Sequence, residues 1–233
     1  MSGPAPGLNE WWLEYHGEYA GRSWLDYRHL LAEAIRYAPA PPLLDVGCGY
    51  GFLVECARQF GVGAIGLDAS ESALAEARRR HPEADLRSWR AGAPLPCADG
   101  AIGVVMLNQV IDHVTLDENR LLFAELRRAL RPGGVVIAHS PSRFNRFDTD
   151  TGHVSFFSPS EFKAFVTGAG FDIVAQPYEP QPILGTGIGW PLVRAFSLVF
   201  RPERLAATID LVAVKAEHIL PALTLCAPAR RNR

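Results

Sequence analysis

At residues 43–52 the chain reads LLDVGCGYGF, a short apolar strand followed directly by a glycine-rich turn. Gly47, Gly49 and Gly51 let the main chain approach a ligand closely, because no side chain stands in the way. The helix that follows presents unpaired N–H groups and its positive dipole end to the same place. The stretch therefore predicts a βαβ unit that binds a nucleotide-like ligand.

The details of this turn argue against a dinucleotide. A dinucleotide-binding turn has a third glycine three residues after the second, for close packing of helix against strand, and Phe52 occupies that position here. Asp45 lies inside the strand, two residues before Gly47. A carboxylate at this point repels a pyrophosphate and suits a ligand that carries positive charge.

Four segments in a fixed order resemble one known family. The turn that begins at Asp45 resembles motif I of the class I S-adenosylmethionine-dependent methyltransferases. The family's later landmarks are matched by LPCADGAIGVVM at 95–106, VIDHV at 110–114 and LRPGG at 130–134. Over roughly residues 40–175 the chain is similar to the small-molecule branch of this family, the type 11 or quinone O-methyltransferase-like enzymes.

The resemblance and the alternation of strand and helix patterns imply a doubly wound, Rossmann-like α/β fold. The expected sheet has seven strands, parallel except for an antiparallel last strand. We predict strands near 43–46, 63–67, 85–90, 102–107, 134–139 and 172–175. We predict helices near 9–19, 23–37, 51–60, 70–80, 117–130 and 159–168.

We expect residues 1–233 to form a single methyltransferase domain. Its expected parts are an N-terminal helical cap (1–38), a cofactor-binding core (43–175), a helical insert (176–221) and the last strand (222–228). Two helices are predicted in the insert, because apolar residues fall at helical spacing there. These residues are Leu205, Ile209, Val212, Ala216 and Ile219.

The resemblance implies a binding site for S-adenosylmethionine at the carboxyl ends of the strands. Asp68 ends the second strand, about 20 residues after the glycine turn, where a carboxylate accepts hydrogen bonds from both ribose hydroxyls. The alternative is that Asp68 only caps the following helix, for which Ser70 is the predicted N-cap. The implied cofactor-binding residues are Asp45, Gly47, Cys48, Gly49, Asp68, Ala69, Ala91, Gly92 and Leu107.

The chain departs from the family pattern at two positions. The acid that meets the adenine amino group in relatives falls at Ala91, and the aspartate of the fourth-strand segment falls at Gly103. We expect adenine to be held by main-chain groups near Ala91 and Gly92 and by apolar residues such as Leu95, with Trp89 nearby. Cofactor binding is expected to be weaker as a result.

Two histidines are the predicted catalytic residues. Methyl transfer from a sulfonium is an in-line displacement, so the protein aligns donor and acceptor and, for a hydroxyl acceptor, assists removal of a proton. His113 follows the fourth strand in a pair that resembles the family's E-H. His153 opens the segment HVSFFSPSEF at 153–162, which resembles the entry to the late helix of quinone-type O-methyltransferases. His139, at the end of the fifth strand, is the third choice; the alternative for each is a purely structural role.

Residues near the expected acceptor are predicted from position alone. Tyr15 and Tyr19 share one helical face with Trp11 and would contact the substrate, unless this stripe only packs the helix onto the body. Arg143, with Arg146 and Asp148, would meet a polar acceptor, unless these are ordinary surface charges.

Composition excludes several other classes. A net charge of -2 leaves no basic surface for nucleic acid. The four cysteines form no C-x-x-C pair, so we expect no structural metal or disulfide frame, and no metal ligand is assigned. The N-terminus does not resemble a signal peptide, and the apolar stretch 183–200 contains Arg194, Pro191 and three glycines, so we expect a cytoplasmic protein without a membrane span.

The sequence therefore predicts an S-adenosylmethionine-dependent enzyme that methylates a small molecule, most simply at oxygen. The N-P-P-Y signature of amide methylators is absent where LNQV stands at 107–110. The alternatives are N- or C-methylation of a sugar, lipid or natural product, and a non-catalytic module that only binds the cofactor. The apolar character of the insert favours a partly hydrophobic acceptor, and a monomer or homodimer is expected.

Overall fold

The computed structural model describes residues 22–37, 41–145, 152–176 and 208–216. Within these residues the chain forms a seven-stranded sheet and five α-helices. The strands are β1 (Leu43–Val46), β2 (Ala64–Asp68), β3 (Asp85–Ser88), β4 (Ile102–Asn108), β5 (Leu130–Pro141), β6 (Phe171–Ala175) and β7 (Thr208–Lys215). The helices are α1 (Arg28–Tyr37), α2 (Phe52–Gln59), α3 (Glu71–Arg80), α4 (Leu116–Ala129) and α5 (Pro159–Gly168), with a 3-10 turn at Trp24–Tyr27 before α1.

The strands lie in the order β3-β2-β1-β4-β5-β7-β6. Neighbouring strands from β3 to β5 are parallel, and β7 runs antiparallel to both β5 and β6. The direction of winding reverses at β1, which pairs with β2 on one side and β4 on the other. Ligands bind at such a switch point, outside the carboxyl ends of the strands. The predicted Rossmann-like sheet with an antiparallel last strand is confirmed.

Helices cover both faces of the sheet. On one face α4 and α5 bury residues such as Phe123 and Phe162. On the other face α1 and α2 bury Leu30 and Leu53. All four residues of β1 are buried, which is why the central strands read as continuous apolar runs rather than as alternating patterns.

Local caps determine where three of the helices begin. The Ser70 hydroxyl accepts the N–H of Ala73 at the start of α3, so its predicted role as N-cap is confirmed. Thr115 and Ser158 each form a capping box, at the start of α4 and α5 respectively. These caps fix the lengths of the loops at the carboxyl edge of the sheet.

The seventh strand lies where the sequence predicted helix. Residues 208–215 form β7, so the helical prediction is wrong for this part of the insert. Residues 211–214 are all buried, because β7 lies between two other strands. Such a continuous apolar run also contains pairs at helical spacing, which is the origin of the error. The strand predicted at 222–228, the helix predicted near 9–19 and residues 177–207 of the insert lie outside the described residues.

Gly66, in the middle of β2, provides a test of the packing beneath the glycine turn. A Cβ at this position would lie 2.8 Å from Cys48 Sγ and 2.9 Å from Val54 Cγ2. We expect Gly66→Ala to lower the free energy of unfolding by about 1–3 kcal/mol, measured by denaturant titration. Gly63→Ala is the matched control, because the nearest atom to its Cβ would be Pro41 Cβ at 4.0 Å. Equal losses in the two variants would contradict this account of the packing.

Candidate active site

The glycine turn after β1 is packed against two neighbouring segments. Gly47 and Gly49 adopt φ angles of 74° and 51°, in the left-handed region that favours glycine. A Cβ at Gly47 would lie 2.6 Å from Cγ2 of Val110, in the loop after β4. The N–H groups of Gly47 and Cys48 both donate to the carbonyl of Leu67, over 2.7 and 3.0 Å. The turn is thus held by β2 on one side and by the loop after β4 on the other.

Asp68 closes this arrangement with its carboxylate. Its Oδ2 accepts the N–H of Gly49 at 2.7 Å, and its Oδ1 accepts the N–H of Ser70 at 2.8 Å. Burial raises the pKa of Asp68, and the main-chain hydrogen bonds partly offset that rise. Asp68 therefore joins the glycine turn to the residue that caps α3, while the cap itself is the Ser70 hydroxyl. A carboxylate has about four acceptor positions, so the group as a whole keeps capacity for the predicted ribose contact.

Asp45 lies in β1 beside Asp68 and is buried. Burial, and then the charge of Asp68, raises the pKa of Asp45 to about 8. Burial and the same two carboxylates raise the pKa of the Cys48 thiol well above its ordinary value. A cationic ligand would stabilise the ionised carboxylates here, since an opposite charge nearby favours the charged form.

The adenine contacts are predicted in the segment after β3. The indole Nε1 of Trp89 donates to the carbonyl of Ala93 at 3.1 Å. Gly92 has a φ of 89°, and Leu95 is buried in the core. Ala91 is half-buried and carries no acid. This segment therefore offers main-chain groups and apolar surface, in keeping with the departures noted in the sequence.

A buried carboxylate joins the two predicted catalytic histidines. Asp112 lies between β4 and α4, and its Oδ1 accepts the hydroxyl of Ser140, in β5, at 2.8 Å. His153 Nε2 lies 2.7 Å from Asp112 Oδ2, and His113 Nε2 lies 3.5 Å from the same oxygen. The two imidazole ring centroids are 4.7 Å apart, with an interplanar angle of 60°. Three polar side chains therefore surround one carboxylate at the carboxyl edge of the sheet.

The approach of His153 to Asp112 is an ion-pair contact rather than a linear hydrogen bond. Although the two atoms are 2.7 Å apart, the buried Oδ2 has no hydrogen-bond partner of suitable direction. Burial alone would raise the pKa of Asp112, but its contacts with His153, His113 and Ser140 hold that pKa below its ordinary value. The carboxylate is therefore ionised and attracts positive charge.

Main-chain hydrogen bonds hold His153 in this position. The N–H groups of Val154 and Ser155 donate to the carbonyl of Asp112, over 2.8 and 3.0 Å. The segment before α5 is thereby fastened to the loop after β4. Val154 and Phe156 are 57% and 53% exposed. They lie next to the group formed by Asp112, His113, Ser140 and His153, which we call the histidine cluster.

His139 lies apart from this cluster, on the opposite face of the sheet. Its Nδ1 is 2.7 Å from Asp210 in β7, and its Nε2 is 2.9 Å from Glu33 in α1. Burial alone would lower the pKa of His139, but the two carboxylates outweigh it and raise the pKa to about 9. His139 is thus an imidazolium at neutral pH that joins α1 to the sheet. Neither of its nitrogens is available to accept a proton, which argues against a catalytic role.

Of the remaining predicted site residues, the structure describes Leu107 and Arg143. The side chain of Leu107 is fully buried in the core. Arg143 forms an ion pair with Glu161, in the first turn of α5. The predicted substrate residues Tyr15 and Tyr19 lie outside the described residues, as do Trp11, Arg146 and Asp148.

Sequence reasoning missed two members of the histidine cluster. Asp112 had a signal, because it stands beside His113 in the VIDHV segment, but it was assigned no role. Ser140 had none, because it is a single hydroxyl near the end of an apolar strand.

Comparison with known proteins finds a similarity to methyltransferases in the part of the chain that carries the candidate site. Residues 44–138 match the model of a methyltransferase domain. The match runs from β1 into β5 and includes the glycine turn, Asp68, and the loop that carries Asp112 and His113. Over these residues the chain is similar to S-adenosylmethionine-dependent methyltransferases.

Relatives of the methyltransferase domain agree in sequence and fold. A "Probable S-adenosylmethionine-dependent methyltransferase" of Mycolicibacterium smegmatis is 32% identical over 136 residues, covering 56% of this chain and 52% of the relative. A trans-aconitate 2-methyltransferase of Azoarcus sp. is 32% identical over 151 residues, covering 61% and 54%. The chain thus spans about half the length of these curated relatives. The crystal structure of an S-adenosylmethionine-dependent methyltransferase from Archaeoglobus fulgidus shares the fold, with a TM-score of 0.68 at 15% identity, over 88% of this chain and 99% of that one.

In the part of the chain that the structure describes, no helix combines the length and the apolar character needed to span a membrane.

The ion pairs of His139 predict a pH-dependent contribution to stability. Its pKa rises from 6.5 to about 9 on folding, so the stabilisation is complete below about pH 6.5 and is lost as the pH rises through 9. At pH 6 we expect His139→Gln to lower the free energy of unfolding by about 3 kcal/mol, and this deficit should shrink steadily towards pH 10. Denaturant titrations across this range measure the deficit.

The control is His29→Gln, which alters an exposed histidine on the same helix α1. This variant should not reproduce the trend. A deficit for His139→Gln that stayed constant from pH 6 to pH 10 would count against the ion pairs.

Proposed function

We propose that this chain is an enzyme that transfers the methyl group of S-adenosylmethionine to an oxygen atom of a small molecule. One observation carries the proposal. Val110, which fills the space beside Gly47, stands two residues before Asp112, which gathers His113 and His153. The cofactor turn and the histidine cluster are therefore packed side by side at the carboxyl edge of one sheet.

This arrangement suits the chemistry of methyl transfer. The S–CH₃ bond of the cofactor breaks as the new O–CH₃ bond forms, so the chain has to hold donor and acceptor in line. The acceptor hydroxyl also has to lose its proton. His113 and His153, held by Asp112, are the groups that we propose assist this loss, while Asp45 and Asp68 favour the positively charged cofactor.

The surroundings of the cluster favour an acceptor with an apolar part. Val154 and Phe156, beside His153, are each more than half exposed, and the ring centroids of His153 and Phe156 are 6.2 Å apart. The trans-aconitate 2-methyltransferase among the relatives is named for a small molecule, which supports a small acceptor here. We propose a small, partly hydrophobic alcohol or phenol.

A non-catalytic module that only binds S-adenosylmethionine is the second candidate. It is favoured by Ala91 and Gly103, which stand where the family pattern has carboxylates. Release of S-adenosylhomocysteine, measured with a panel of phenols, sugars and lipid intermediates, separates the two. Cofactor binding without release across the panel would favour the module.

Asp68 tests the cofactor site. We expect Asp68→Asn to weaken S-adenosylmethionine binding at least about tenfold, measured by calorimetry, because hydrogen bonds to a charged acceptor are worth about 1.5–3 kcal/mol. Ser70→Ala is the matched control. It removes the α3 cap, at a cost of about 1 kcal/mol in stability, but leaves the Asp68 carboxylate in place. If both variants bound the cofactor as the unaltered chain does, Asp68 would have no part in the site.

The histidine cluster tests the acceptor side. With the first acceptor that supports turnover, we expect His153→Ala and His113→Ala each to lower kcat by about 10²–10⁴-fold and to change cofactor affinity less than about threefold. His29→Ala, which removes an exposed histidine outside the site, should leave both quantities unchanged. Near-full turnover in both cluster variants would show that the reaction needs alignment only.

A further inference from the structure

The two imidazoles of the histidine cluster are directed at the same carboxylate oxygen. His153 Nε2 lies 2.7 Å from Asp112 Oδ2, and His113 Nε2 lies 3.5 Å from it. On the other side of its ring, the Nδ1 of His113 lies 3.4 Å from the carbonyl of Gly152. One nitrogen of each ring therefore faces the same side of Asp112.

The oxygen that the two imidazoles face is also unsatisfied. Asp112 is 2% exposed, and its Oδ2 is a buried oxygen without a directional hydrogen bond. A buried acceptor in this state is unfavourable, and more so when it is charged. Oδ1 of the same group is satisfied by Ser140, so the deficiency lies only on the side that faces the two imidazoles.

Three potential ligand atoms converge on this point. One atom each from Asp112, His113 and His153 lies within 4.8 Å of the other two. Ser140 and the Gly152 carbonyl hold the outer sides of Asp112 and His113, which is how the supporting groups of protein metal sites orient their ligands. The side chains of Asp112 and His153 are 3% and 5% exposed, whereas His113 is 19% exposed. The cluster is therefore closed on one side and open on the side of His113.

We propose that Asp112, His113 and His153 bind a divalent transition-metal ion of the Zn²⁺ class. Two imidazole nitrogens and one carboxylate oxygen suit Zn²⁺, Co²⁺ or Ni²⁺ better than Mg²⁺ or Ca²⁺, which prefer oxygen ligands. Three protein ligands also leave a coordination position open for a water or a substrate oxygen. The sequence did not predict a metal, because its cysteines lack ligand spacing and the three ligands come from two loops that are distant in sequence.

The metal site deepens the proposed methyl transfer and rests on it. A hydroxyl oxygen bound to the ion has a lowered pKa, so its O–H bond breaks and the proton passes to solvent water. The resulting oxygen anion attacks the cofactor methyl group. The O–CH₃ bond forms as the S–CH₃ bond breaks, and the electron pair of that bond stays on sulfur in S-adenosylhomocysteine. The histidines then assist as ligands that place the acceptor oxygen.

Cobalt titration of the full chain tests the site without any acceptor. The protein is freed of metal with a chelator and of any histidine tag, and the visible absorption of added Co²⁺ is followed, with Zn²⁺ as competitor. We expect one Co²⁺ per chain, with the intense bands of a low-coordinate ion, displaced by Zn²⁺. His113→Ala and His153→Ala should each weaken binding more than tenfold, and His29→Ala should not change it.

Ser140→Ala is a second variant, which keeps the proposal testable if a histidine variant fails to fold. It keeps all three ligands and removes only the hydroxyl that orients Asp112, so we expect metal affinity to fall about 10-fold to 100-fold, with an unchanged circular dichroism spectrum. The proposal is overturned if no one-to-one Co²⁺ binding occurs. It is also overturned if binding is equally strong in both histidine variants, which would indicate an adventitious ion.

Turnover with and without chelator separates this inference from the proposed function. Loss of S-adenosylhomocysteine release with chelator, restored by Zn²⁺ or Co²⁺, supports the metal site. Full release in the presence of chelator overturns it and leaves the methyltransferase activity standing. Stoichiometric metal binding without turnover on any acceptor supports the site and counts against the proposed function.

Discussion

Close packing at two glycines is the constraint on which the carboxyl edge of the sheet, with its predicted cofactor site, depends. Gly47 has no space for a Cβ because Val110 fills it, and Gly66 has none because Cys48 lies against it. The turn after β1, strand β2 and the loop after β4 can therefore meet at van der Waals distance. Because they meet, Asp68 reaches the main chain of the turn, and the histidine cluster stands beside the cofactor turn instead of at a separate edge.

Much of the fold could be predicted because it follows from local patterns. The first strand, its turn and the start of α2 lie within ten consecutive residues, and the predicted strands agree with β1 to β6 to within a few residues, apart from an earlier start for β5. The position of β7 could not be predicted, since Ile209, Val212 and Ala216 fall at helical spacing. Burial on both faces removes the alternation that marks a strand. Only pairing with β5 and β6, which are distant in sequence, decides between helix and strand.

The candidate site also has one part that local sequence predicts and another that depends on contacts between distant segments. Residues of the cofactor side lie close together in sequence, and a family resemblance locates them. The histidine cluster depends on tertiary structure, because α4 and β5 separate Asp112 from His153. The sequence could rank His139 only by its place at a strand end. Its partners Glu33 and Asp210 come from opposite ends of the described chain, and they are what convert it from a candidate base into a fixed cation.

The segment before α5 is fastened by main-chain atoms, and this has an evolutionary consequence. Because the N–H groups of Val154 and Ser155 bind the carbonyl of Asp112, the position of the loop depends little on which side chains it displays. Exposed positions such as Val154 and Phe156 can therefore diverge between related proteins while His153 stays in register. A library that randomises these two positions would sample new acceptor preferences on an unchanged frame, which makes this short loop the natural place to re-engineer the protein.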